Sequence, residues 1–153
     1  MSYPAGEALI LTLLQSVPGF GGNADGKPNT GRHDWGVLNF GPNLAGIVVQ
    51  DTSQINNQSP VTFENVWRTC IQVWQAYINE VQPPEDLQAN VELVKNTFLI
   101  HRTLGDTTNT IADSQPVSIS MPQEMWKKGN DGPLWLEQDV IIEWKEVQQV
   151  TYA

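Results

Sequence analysis

The chain has 153 residues, 17 acidic against 8 Lys and Arg for a net charge of -9, with 40% hydrophobic residues, six tryptophans and one cysteine. That length fits one domain whose core can fold without a disulfide or a metal. The lone Cys70 excludes an internal disulfide framework and a Cys-rich metal site. The acid excess argues against a protein that grips nucleic acid or an anionic membrane through clustered Lys and Arg.

Residues 7–16 read as a short helix, with Leu9, Leu13 and Leu14 on one face, Ile10 beside them, and Pro18 and Gly19 ending it. The apolar run 8–14 is too short to span a bilayer, and it follows Glu7 rather than a basic residue, so neither a signal peptide nor a membrane anchor is expected. Synthesis in the cytoplasm is the matching expectation. Residues 19–32, rich in Gly, Asn, Asp and Pro, read as a long loop. Residues 33–50 look extended, broken at Gly41 and Pro42, with Ile47, Val48 and Val49 as a β-branched core. Residues 51–60 are polar and turn-rich. Residues 61–79 read as a long strand, because β-branched and aromatic residues dominate, Pro60 precedes them and nothing caps a helix. An amphipathic helix is the alternative there, since Phe63, Val66, Trp67, Cys70 and Trp74 also fit a helical stripe.

Residues 84–102 give the clearest helix. Pro83, Pro84, Glu85 and Asp86 make a good start, Leu87, Val91, Val94 and Phe98 form one stripe, His101 and Arg102 suit the last turn, and Gly105 can cap it. A loop is expected over 105–115, then a short strand over 116–121 with Val117, Ile119 and Met121 facing one way. Residues 122–132 read as a loop carrying Trp126, Lys127 and Lys128. Residues 134–150 read as a long strand with Leu134, Leu136, Val140, Ile142 and Trp144 on a core face. Its other face carries Trp135, Glu137, Asp139, Ile141, Glu143 and Lys145. The order predicts a single α+β domain over 1–153, with a mostly antiparallel sheet of long strands, helices packed on one face, and long loops at 19–32, 105–115 and 122–132. No internal repeat is visible.

Chemistry is sparse. Gly19, Gly21 and Gly22 complete no phosphate-loop pattern. Asn23, Asp25, Asn29 and Asp34 only faintly resemble a calcium loop, with Lys27 and Pro28 in the wrong places and no closing Glu. His33 and His101 are too far apart in sequence to form a metal motif, and His101 suits a helix end. Cys70, near Arg68, reads as a buried inert thiol. Lys127 and Lys128 beside Trp126 are too few for a phosphate site and suit a docking loop. Glu137, Asp139 and Glu143 share a strand face and read as an acid/base pair, a solvated sheet face or the lining of a pore. No catalytic residue, cofactor or metal is expected, and no enzyme. A carbohydrate- or small-ligand-binding module is a rival reading, with Trp35, Trp126 and Trp135 beside carboxylates as stacking platforms.

Three segments carry a resemblance: 66–77 (VWRTCIQVWQAY), 84–107 (PEDLQANVELVKNTFLIHRTLGDT) and 134–150 (LWLEQDVIIEWKEVQQV). Their order and length resemble the long strand, the helix with its "TLG" exit, and the closing strand of the tail terminator (tail completion) proteins of long-tailed bacteriophages. The resemblance implies an α+β subunit of the virion tail or neck, or another neck or tail-tube subunit. It implies a homo-oligomer, a hexameric ring, that caps the tail tube protein and meets the head connector and neck proteins. The genomic DNA would pass through the ring without specific binding. On that basis Glu137, Asp139 and Glu143 are expected to face the lumen, where six copies at -9 each would repel DNA, and Trp35, Trp126 and Trp135 to serve interfaces.

Overall fold

The computed structural model describes residues 3–18, 20, 30–32, 43–50, 54–59, 62–76, 83–108, 111–125 and 135–149. In chain order the elements are α1 (Tyr3–Ser16), β1 (Thr30–Arg32), β2 (Asn43–Gln50), β3 (Gln54–Ser59), β4 (Thr62–Ala76), α2 (Pro83–Ile100), β5 (Ile111–Ile119), β6 (Gln123–Met125) and β7 (Trp135–Gln149). The fold is α+β, a mixed sheet covered by helices on one face.

The centre of the sheet is a seam between the two 15-residue strands β4 and β7, antiparallel and in unbroken register from Thr62 opposite Gln149 to Ala76 opposite Trp135. At about 3.3 Å per residue these strands run roughly 50 Å. On the far side of β4 lie β2, opposite Gln75 to Thr69, and then β3, opposite Val66 to Thr62. β2 and β3 therefore act as one long strand with a break between them. β5 and then β6 line the far side of β7 in the same way. β1 adds the only parallel pairing among the described strands, at the edge beside β2. Each half of the chain thus contributes a helix, a broken strand and an unbroken strand.

Alternation along the seam sorts the side chains. Asn65, Thr69, Ile71, Val73 and Gln75 of β4, and Leu136, Val140, Ile142, Trp144 and Glu146 of β7, are buried on the inner face. Both helices pack there. α1 lays Ile10, Leu13 and Leu14 into the core, and α2 lays Leu87, Val91, Val94 and Phe98, the stripe read from the sequence. The close approach of α1 depends on Gly6, because a Cβ built there would clash with the Trp144 indole ring. Trp144 is fully buried, stacks on the cross-strand Trp67 with ring centroids 5.9 Å apart, and donates from Nε1 to Thr69 Oγ1 at 3.1 Å. Asn65 and Glu146, directly opposite and both buried, are joined by a 3.1 Å bond from Asn65 Nδ2 to Glu146 Oε1.

After α2 the chain turns through Leu104 and Gly105, both at positive φ, 55° and 71°. Leu104 is buried, so packing offsets the strain of a left-handed leucine. Arg102 then clamps Asp113 on β5 with two bonds, Nε to Oδ1 at 2.7 Å and Nη2 to Oδ2 at 2.8 Å. This holds the Asp113 carboxyl below its ordinary range.

Segment 61–79, open between strand and helix in the sequence, is strand over 62–76. Four expectations need correction. The turn-rich 51–60 contains β3, because Asn and Gln side chains do not prevent backbone pairing with β4. The loop expected over 19–32 holds β1 at its end. That over 105–115 gives way to β5 at Ile111, and that over 122–132 contains β6; both strands pair with β7, which is long enough to template them. Val117, Ile119 and Met121, expected to face one way, do not share one regular strand face. A register shift between Pro116 and Ser118 breaks the alternation, and all three are exposed.

Candidate functional site on the outer sheet face

No described element packs on the outer face of the seam. β7 presents Glu137, Asp139, Ile141, Glu143 and Lys145 there, as the sequence pattern indicates, and β4 answers with Trp74, Gln72, Cys70, Arg68 and Val66 directly opposite. The three acids of the sequence reading are therefore brought to one face. Their charges are not equivalent. Glu143 is half-buried and accepts from Arg68 Nε across the seam at 3.1 Å. Glu137 is only 6% exposed. Burial, and then the neighbouring Asp139 two positions along the strand, push its carboxyl up to about 8. Asp139 has one oxygen, Oδ1, buried without a hydrogen-bond partner.

With its carboxyl pushed up to about 8, Glu137 favours its protonated form at neutral pH, and the outer face of the seam sets Asp139 and Glu143 against Arg68 and Lys145. Over positions 137–145 and 66–74 the charges nearly balance, in a chain of charge -9. The three acids are thus not three equal charges: Glu143 is paired with Arg68, and the Glu137 carboxyl is pushed up.

Around the carboxyls stand neutral polar groups. Trp74 lies opposite Glu137 and donates from Nε1 to Gln72 Oε1 at 3.1 Å. Gln123 of β6 lies opposite Glu137 on the other side. Where β5 gives way to β6, Ser120 ties the junction to β7. Its N–H donates to Asp139 O at 2.9 Å, its Oγ accepts from Asp139 N at 2.9 Å, and its carbonyl accepts from Gln138 Nε2 at 2.7 Å. The sequence reading missed Trp74, Gln72, Ser120 and Gln123. Once 61–79 is fixed as strand, period-two alternation places Trp74 and Gln72 with Arg68; nothing local marks Ser120 or Gln123.

Trp35, Trp126, Lys127, Lys128, His33, Gly19, Gly21, Gly22 and the loop acids Asp25 and Asp34 lie outside the described residues, as do Asn23 and Asn29. Trp135 occupies the first position of β7, opposite Ala76 and Met125. His101 is exposed just after α2, its carbonyl accepting from Ser114 Oγ at 3.2 Å. Cys70 is half-buried opposite Ile141 rather than sealed in the core, because its position falls on the outer face. Among the described residues no group of three His, Cys, Asp or Glu is placed to hold a metal ion, and no helix is long and apolar enough to cross a membrane.

No protein-family model matches the chain, and no curated relative matches its sequence.

Proposed function

We propose that the chain is a non-enzymatic structural subunit of a long-tailed bacteriophage virion, a tail terminator. It closes into a six-membered ring on the tail tube and joins the tube to the head connector. The observation that carries this reading is the succession of a helix, a 15-residue strand, a second helix of 18 residues and a closing 15-residue strand, in the order and place of the three resembling segments. Two features support an assembling role. Among the described strands, β1 and β3 lie along one edge of the sheet and β5 and β6 along the other, so the two edges differ, and contacts between unlike surfaces can close into rings. The outer face of the seam is nearly neutral and half-apolar, which suits packing against protein. In this reading repulsion of the passing DNA falls to the total charge of the ring, not to Glu137, Asp139 and Glu143 alone. The test is the mass of the purified protein with and without tail tube protein. A ring, formed alone or on the tube, supports the reading, and a monomer indifferent to both overturns it.

A second reading, a carbohydrate-binding module, is favoured by Trp74 set beside Gln72, Glu137 and Asp139, since an aromatic next to amide and carboxyl groups is how proteins hold sugar rings. Oligosaccharides quenching or shifting the tryptophan fluorescence of the wild type, and not of Trp74→Ala, would select it over the ring.

A further inference from the structure

We propose that two copies of the chain pair through the outer face of the seam, about a two-fold axis that runs along it, so that β4 of one copy lies over β7 of the other. Three successive rows of the face carry the argument: Arg68 opposite Glu143, Cys70 opposite Ile141, and Gln72 opposite Asp139. A second copy can reach them. The Arg68 side chain is 53% exposed and that of Glu143 19%, and the other four residues are half-buried.

Two sheets can stack face to face about a two-fold axis lying either along the strands or across them, and the charges decide between the two. An axis across the strands lays each strand on its own copy, reversed about the Cys70–Ile141 row. Arg68 then lies over Gln72, and Glu143 over Asp139, a carboxyl on a carboxyl in both halves of the contact. An axis along the seam lays each row on its own copy, crossed. Arg68 of each copy then lies over Glu143 of the other, and the 3.1 Å pair within each chain becomes one side of an alternating quartet. Gln72, whose side-chain oxygen accepts from Trp74 Nε1, brings its amide nitrogen as the donor for Asp139 of the second copy. Cys70 meets Ile141 and closes an apolar centre between these two polar rows. Opposite charges across an interface fix its register, and like charges set against each other cost affinity, so the axis along the seam is the one the face fits.

The dimensions suit such a pair. The seam runs for 15 paired residues and is flanked by β2 and β3 on one side and β5 and β6 on the other. At the usual strand rise and spacing that is a face of roughly 50 Å by 15 Å, on the order of 700 Å², against the ~800 Å² that each partner gives to a stable interface. Stacked sheets of this kind cross at about 30°, which keeps the rows beside the crossing point in contact. The pair deepens the assembling role proposed above. It uses the sheet face and not the sheet edges, so it stands whether or not a ring forms.

Mixing two charge variants tests it. By light scattering, the wild type should become a dimer as its concentration rises. Arg68→Glu and Glu143→Arg, each alone, should pair at least about tenfold more weakly, with the melting temperature showing that each is folded. Mixed one to one, the two variants should pair again, because the reversed charges then meet their opposites between copies while still repelling within each chain. A wild type that is monomeric at every concentration, or a mixture that pairs no better than its components, overturns the proposal. Should a variant fail to fold, Cys70 of the wild type decides. Its labelling by a maleimide should slow as the pair forms over it, and equal rates in dilute and concentrated protein overturn the pair. A dimer that never closes into a ring on tail tube protein would count against the ring reading and leave this one standing.

Discussion

At Gly6 a side chain has no room, because the Trp144 ring occupies the place where a Cβ would sit. Trp144 is itself pinned by its bond to Thr69 and its stack on Trp67, so it cannot swing aside. Gly6→Ala should therefore destabilise the protein by about 1–3 kcal/mol, as overpacking does, even though alanine favours helices. Urea unfolding followed by tryptophan fluorescence measures this, and an unchanged midpoint would contradict the packing of α1 on β7. Glu137 gives a pH signature. Its carboxyl is raised from 4.5 to about 8 in the folded chain, so its contribution to stability is complete below about 4.5 and is lost as pH climbs to about 8. The melting temperature of the wild type should fall across that window relative to Glu137→Gln. Parallel curves would mean that Glu137 is ionised throughout. Asp113 acts in the opposite sense. Paired with Arg102 and held below its ordinary range, it supports the fold at neutral pH and ceases to as pH falls into the acid range; the pair is exposed, so the effect is small.

Elements differ in how plainly the sequence announces them. The stripe Leu87, Val91, Val94 and Phe98 is helical in period and flanked by Pro83, Pro84, Glu85 and Asp86, so α2 is legible from residue types alone. Phe98→Ala should cost about 3–5 kcal/mol, read as a lowered denaturant midpoint, since Phe98 is fully buried where α2 meets the sheet. β7 is equally legible, because Val140, Ile142 and Trp144 alternate with Asp139, Glu143 and Lys145, Ile141 alone interrupting the polar set. β4 is harder. Its apolar residues satisfy both periods, and only pairing with β7 settles which applies. β3 and β6 are illegible, for Gln54–Ser59 and Gln123–Met125 have little β propensity of their own and become strands because β4 and β7 extend beside them. The apolar residues of β5 mislead for a related reason: the bulge after Pro116 leaves Val117 out of register. Ile119→Lys should accordingly shift the stability of the isolated chain by no more than about 0.5 kcal/mol. A loss as large as that of Phe98→Ala would place Ile119 in the core.

On the scale of the whole molecule, the two helices close one face of the sheet and no described element covers the other. The composition made this chain look like an acidic surface throughout, yet the outer face of the seam compensates its charges through Arg68, Lys145 and the proton on Glu137. Net charge is a sum, and it does not report which acids are paired or protonated. That is why the three carboxylates were legible as sharing a face but not as unequal. A nearly balanced face and two unlike sheet edges support the proposal of a subunit that meets other subunits, and that proposal is the central claim. Native mass spectrometry of the purified chain across concentration, repeated after addition of tail tube protein, tests it most directly. The account predicts six copies in one ring, alone or on the tube. A species that stays monomeric at every concentration and with tube protein present would contradict it.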